Sequence, residues 1–228
     1  MNYVGIDPSL TSTAMVANDK VFVYTKESAV YRKSGMEKWF SICENFINIR
    51  TFYPEISKEF SKNEMLKIIR YDKATDLIVE DIKKILNNEE KTRIYIEGYS
   101  YNSKSGDIID LVAFSTLLRL KLTSITNDIK IIPPATLKKE SCILTYHGKD
   151  VGVKKPKIEY RNFEGVAGGK FKKHEMYKAI IENNSYQDSW TNHLRQQKEE
   201  IFSMKSVPKP YDDINDAFLL RKLCEKNI

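Results

Sequence analysis

The sequence predicts an α/β protein, a mixed five-stranded sheet flanked by helices, and three observations carry that expectation. Short apolar runs alternate with longer runs of helical periodicity along much of the chain. Turn-forming residues bound most of the apolar runs. With 228 residues and 41% hydrophobic composition, the chain can bury one sizeable core and still carry insertions.

Three strands open the chain. "NYVGID" (2–7) reads as a buried strand, "STAMVAN" (12–18) as a second and "KVFVYTKE" (20–27) as an alternating third, with Asn18-Asp19 as turn chemistry between the last two. Residues 28–70 are irregular, although Trp39, Phe40, Phe46, Phe52 and Tyr53 predict that this stretch packs on something. From Tyr71 the pattern is helical, and in "DKATDLIVEDIKKILNN" (72–88) Leu77, Ile78, Ile82, Ile85 and Leu86 share one face. "RIYIEGY" (93–99) predicts a strand, and "DIIDLVAFSTLLRLKLTSI" (107–125) a helix apolar enough to be largely buried. "IKIIP" (129–133) is a further strand, after which Pro134 opens a helix over "PATLKKESCIL". Helices are also expected in "KKHEMYKAIIEN", in "HLRQQKEEIFSM" within a polar connection, and in "YDDINDAFLLRKLCEKN". The last has Asp in its first turn and Lys/Arg in its last, as the helix dipole favours. The whole reads as one domain, residues 1–228, with insertions at about 28–70, 145–170 and 185–208.

Charge and cysteine usage narrow the partners. A formal net charge of +6 favours a polyanion, nucleic acid before an anionic membrane. The three cysteines, Cys43, Cys142 and Cys224, are far apart and form no CxxC, which excludes a disulfide framework or zinc site of the usual spacing and suits a reducing compartment. No signal peptide or membrane-spanning run is visible, so a cytoplasmic protein is expected, in the host cytoplasm if the source is viral. His147, His174 and His193 make no HExxH motif.

Acids stand where acids are costly. Asp7 closes an apolar strand, Glu97 follows Ile-Tyr-Ile, and Asp213 and Asp216 share one helical face just before that helix turns apolar. No Arg or Lys is evident beside them as a neutralising partner. Read alone, Asp7 suits a turn, a phosphate loop or a metal ligand, and the Asp213/Asp216 pair suits a helix N-terminus. Taken in order, a first-strand Asp, a later-strand Glu and a C-terminal Asp-x-x-Asp suit two divalent ions that activate water and stabilise the leaving oxygen of a phosphodiester.

"VGIDPSLTSTAM", "IYIEGYSY" and "DDINDAFLL", in this order, resemble the RuvC-type Holliday junction resolvases of the RNase H-like nuclease superfamily. The resemblance implies an RNase H-like fold and an endonuclease that resolves four-way DNA junctions with two Mg²⁺ ions, for which Mn²⁺ substitutes. It makes Asp7, Glu97, Asp213 and Asp216 the catalytic, metal-binding acids, with Asp212 the alternative if the register of the last helix shifts. It implies lysines that contact phosphate near the scissile bond, which "PATLKKE" and "GGKFKKHEM" match with Lys138 or Lys139 and with Lys173, the last in a catalytic role; Lys172 beside it is a further DNA contact. It also implies an aromatic at the junction centre, for which Tyr99 and Tyr101 are the candidates; stacking on a splayed base contributes about 1–3 kcal/mol. A homodimer with two active sites follows from the same resemblance, as do branched DNA as partner and no membrane. The lysines of 149–173, interleaved with Tyr160 and Phe163, suit a flap that tracks a DNA backbone and orders on it. The chain departs from the family where Ser9 and "TSTAM" replace glycines after Asp-Pro.

Other readings remain. A broader branched-DNA or flap endonuclease uses the same residues. A non-catalytic DNA-binding protein needs none of the acids. "GIDPSLTST" is also similar to the first phosphate loop of actin-like and sugar-kinase ATPases, which need a second glycine-rich loop with its own Asp; "GVAGGKF" has none.

Overall fold

A computed structural model describes residues 1–26, 37–52, 56–86, 90–99, 107–145, 148–150, 158–160 and 171–226. Its centre is a six-stranded mixed sheet of order β4-β3-β2-β1-β5-β6, made of β1 (Asn2–Asp7), β2 (Ser12–Ala17), β3 (Lys20–Lys26), β4 (Asn48–Phe52), β5 (Thr92–Glu97) and β6 (Ile129–Ile132). Strand β2 alone runs against the others. Five strands match the sequence reading and β4 is a sixth, drawn from the stretch read as irregular. It was hidden because "NIRTF" is short and alternates with polar residues, as an edge strand does. A two-stranded ribbon, β7 (Gly148–Asp150) with β8 (Ile158–Tyr160), stands apart from the sheet.

The β2–β3 hairpin is closed by Asn18 at φ 50, a left-handed position that asparagine tolerates. Its side chain also accepts from the Tyr3 N–H at 3.1 Å and donates to Asn2 at 3.1 Å, tying the turn to β1.

Helices cover both faces. On one, α2 (Phe60–Ile85) and α3 (Asp107–Leu122) bury Ala74, Ile78, Ile82, Phe114 and Leu118 against Val4, Ile6, Ile94 and Ile96. Helix α2 starts eleven residues before the predicted Tyr71. Its first turns escaped the periodicity because Phe60, Met65 and Ile68 point outward rather than into the core. Helix α3 is not largely buried: packed on one layer, it leaves Ile109 and Leu120 about 74% and 67% exposed.

On the opposite face lie α1 (Glu37–Cys43), α4 (Pro134–Leu144), α5 (Lys173–Glu182), α6 (Ser189–Gln196), α7 (Lys198–Ser203) and α8 (Tyr211–Lys226). The polar connection of 185–208 thus holds two helices, anchored by buried Trp190, Leu194 and Ile201. No helix among the described residues is long and apolar enough to cross a membrane.

Helix α8 is the helix on which the site depends. It lies across β1, β2 and β5 and is buried on nearly every side. Gly5 permits this approach. A Cβ there would stand 2.1 Å from the Ala217 carbonyl oxygen and 2.4 Å from the Arg221 nitrogen, so only glycine lets the helix backbone lie on the strand.

Candidate metal centre

Strand alternation puts Asp7 and Glu97 on the α8 side. Val4 and Ile6 fill the α2/α3 core, so Gly5 and Asp7 face the other way; Ile94 and Ile96 likewise leave Tyr95 and Glu97 facing α8. The parallel register Ile6↔Ile96 then sets the two carboxylates side by side at the ends of β1 and β5. The start of α8 adds Asp212 and Asp213 in its first turn and Asp216 in its second, and Asp216 joins the two strand carboxylates.

Asp7, Glu97 and Asp216 each offer a carboxylate oxygen, and these oxygens lie within 4.8 Å of one another. Asp7 and Asp216 are buried and Glu97 is half-buried. Burial, followed by the charges of Glu97, Asp213 and Asp216, holds the Asp7 carboxyl well above the usual range. Burial also pushes Asp216 up to about 7, against the lowering pull of the Lys173 ammonium. Asp213 is raised by burial too, although Lys209 opposes the shift. Mutual repulsion in a dry site is the arrangement a cation relieves.

Partners already present change the expected picture. The sequence shows no obvious cation beside these acids, yet two lysines reach them. Lys173, at the start of α5, pairs with Asp216 and lies 2.9 Å from Asp212. Lys209 lies 3.1 Å from Asp213. Lys173 was singled out in the sequence as a phosphate contact; it does reach the site, but there it is bound to carboxylates. Lys209 was missed, although its i,i+4 spacing to Asp213 was a readable signal. The charge is still incompletely met: Asp213 Oδ2 and Asp216 Oδ1 are buried without a hydrogen-bond partner. The Ser12 hydroxyl is also buried and closes no full hydrogen bond, yet lies close enough to Asp213 to lower its pKa. Oxygen-only donors with unmet lone pairs fit a hard divalent cation such as Mg²⁺ or Mn²⁺.

Hydroxyls brace the loop after Asp7. Thr13 Oγ1 accepts from the Ser9 N–H at 3.1 Å and donates to the Ser9 carbonyl at 2.8 Å. Thr25 Oγ1 donates to the Thr11 carbonyl at 3.0 Å, tying the loop to β3.

The remaining candidates are more dispersed. Lys172 is exposed at the start of α5, its backbone N–H bonded to Glu175 at 2.9 Å. Lys138 and Lys139 are half-buried on α4, and no ion pair joins either to the acids among the described residues. Tyr99 is half-buried, with the Arg119 guanidinium 5.4 Å from its ring centre. Tyr101 and most of the 145–170 segment, with the expected flap, lie outside the described residues.

No known family model and no curated protein matches the chain.

Proposed function

We propose that the protein is a metal-dependent endonuclease of branched DNA, of the Holliday junction resolvase type on an RNase H-like fold. One observation carries the reading: three carboxylates from three separate elements converge within 4.8 Å at the end of the neighbouring strands β1 and β5. A five-strand core, β3-β2-β1-β5-β6, with acids on β1 and β5 supports the fold assignment.

Asp7, Glu97 and Asp216 are the ligands for the cation, Mg²⁺ with Mn²⁺ as substitute. Bound there, a divalent ion supplies Lewis acidity to a phosphodiester and lowers the pKa of water. In the hydrolysis, water adds to phosphorus, one P–O ester bond breaks, and the departing oxygen takes up a proton. Lys173, freed from Asp216 if that carboxylate held a cation, would be placed to meet a backbone phosphate, and exposed Lys172 beside it would extend that contact. The second ion that the family resemblance implies would have to compete with Lys209 for Asp213. The net charge of +6 favours the polyanionic partner. Outward-facing Phe60, Met65, Ile68 and Ile69 on α2 and Ile109 on α3 favour a homodimer through this side.

The test incubates labelled four-way junction, flap and linear duplex with Mg²⁺, Mn²⁺ or EDTA, beside Asp7→Asn. Paired symmetric nicks in the junction are expected, with none in EDTA or with the variant. Equal cutting of flaps favours the broader branched-DNA nuclease. Cleavage that persists in EDTA sinks the metal mechanism.

A further inference from the structure

We propose that Lys209 is a resident cation of the acidic cluster, its ammonium holding the place beside Asp213 that a second divalent ion would take, so that the centre loads one divalent metal. The inference rests on the metal-centred reading above and deepens it by giving the stoichiometry and the residue that sets it.

The carboxylates divide into two groups. Asp7, Glu97 and Asp216 converge on one point, whereas Asp213 lies outside that set and meets Lys209 at 3.1 Å. The two lysines of the site therefore differ in kind. Lys173 pairs with Asp216, a member of the converging set, so a metal bound there displaces it. Lys209 pairs outside the set and can stay while the metal binds.

Lys209 is also held in place. It stands between Pro208 and Pro210, whose rings fix φ on either side. The Asp212 and Ile214 N–H groups bond back to the Pro208 and Pro210 carbonyls at 3.1 and 3.0 Å, joining this short segment to the first turn of α8. The Lys209 side chain is only 34% exposed and its partner carboxylate 7%. The buried Ser12 hydroxyl, without a full hydrogen bond, also lies close to Asp213. A second divalent ion at Asp213 would use that hydroxyl and Oδ2, but it would face the ammonium at close range. A single positive charge at Oδ1 offsets the charge of Asp213 without the Lewis acidity of a metal, leaving Oδ2 without a partner.

Titration of the metal-free protein with Mn²⁺, with free Mn²⁺ followed by electron paramagnetic resonance, counts the bound ions. The wild type is expected to bind one equivalent tightly. Lys209→Met is expected to bind a second, at least about tenfold tighter than any second site in the wild type. Lys209→Arg, which keeps the charge, is expected to remain at one. The double variant Lys209→Met, Asp213→Asn should return to one, which locates the added ion. Lys209→Gln serves in the same comparison if the methionine variant does not fold. Two tight equivalents in the wild type, or one in a folded, uncharged Lys209 variant, overturn the proposal and leave the metal reading standing. No bound Mn²⁺ in the wild type removes both.

Discussion

Asp7 is costly to the fold as a carboxylate, and its cost is its most informative property. Burial and three neighbouring acids raise its pKa, so replacing it with the isosteric amide removes repulsion. Asp7→Asn is therefore expected to lose metal-dependent cleavage while the metal-free protein melts higher. Each kcal/mol relieved raises Tm by about 2–4 °C in a chain of this size. A calorimetric scan that shows Asp7→Asn melting lower than wild type contradicts the proposed cost. The pH dependence follows from the same group of acids. Asp216 titrates at about 7 in the fold against an ordinary value of 3.8, so the folded state holds its proton more tightly than the unfolded chain. Its contribution to stability is full below 3.8 and is lost as pH rises through about 7. Protons and metal compete for the same oxygens, so Mg²⁺ should raise Tm more at about pH 8 than at about pH 5.5. Melts in both buffers, with and without Mg²⁺, check this. The acids were legible in the sequence because a carboxylate after an apolar strand is conspicuous. The lysines that meet them were less so. Lys173 comes from an element 43 residues away from Asp216, and ion pairs of that separation leave no trace in periodicity.

At the scale of elements, the site is a consequence of α8 lying directly on β1. Gly5→Ala forces a methyl group into the Ala217 carbonyl and must push the helix outward. A loss of about 1–3 kcal/mol is expected in urea melts, together with weaker Mn²⁺ binding, since α8 carries Asp213 and Asp216. Unchanged metal affinity in a destabilised Gly5→Ala protein would separate the packing from the site. The opposite edge provides a contrast. Arg50 on β4 pairs with buried Asp81 on α2 at 3.0 Å, and Tyr24 donates to the same carboxylate at 3.3 Å. Arg50→Ala should cost about 1–3 kcal/mol by taking the guanidinium from a buried carboxylate that keeps only Tyr24 and, 3.8 Å away, Lys84, less than a fully buried pair because Arg50 is half exposed, and leave metal binding intact. Strands β1, β2, β3 and β5 were readable because their apolar runs are buried in the sheet, and β6, an edge strand with Ile131 exposed, because its isoleucines still make an apolar run. Strand β4 and the first turns of α2 were not, since an edge strand and an outward-facing apolar stripe break the periodicity on which the reading depends.

For the whole molecule, the two faces of the sheet divide the labour. The α8 face carries the acids, and the α2/α3 face presents outward-facing apolar side chains. If that second face pairs two copies, sedimentation should give a dimer, and Ile68→Glu should shift it towards monomer without changing the melting of the fold. A basic chain that grips phosphates should also bind a four-way junction less tightly as salt rises, with log K falling linearly in log salt. The proposed activity requires that Asp7, Glu97 and Asp216 together hold a divalent cation. Crystals soaked in Mn²⁺ and recorded at the manganese absorption edge test that claim most directly. The predicted result is an anomalous peak between these three carboxylates, with Lys173 withdrawn from Asp216. A saturating soak that leaves the three carboxylates without a peak, or with Lys173 still paired to Asp216, would contradict it.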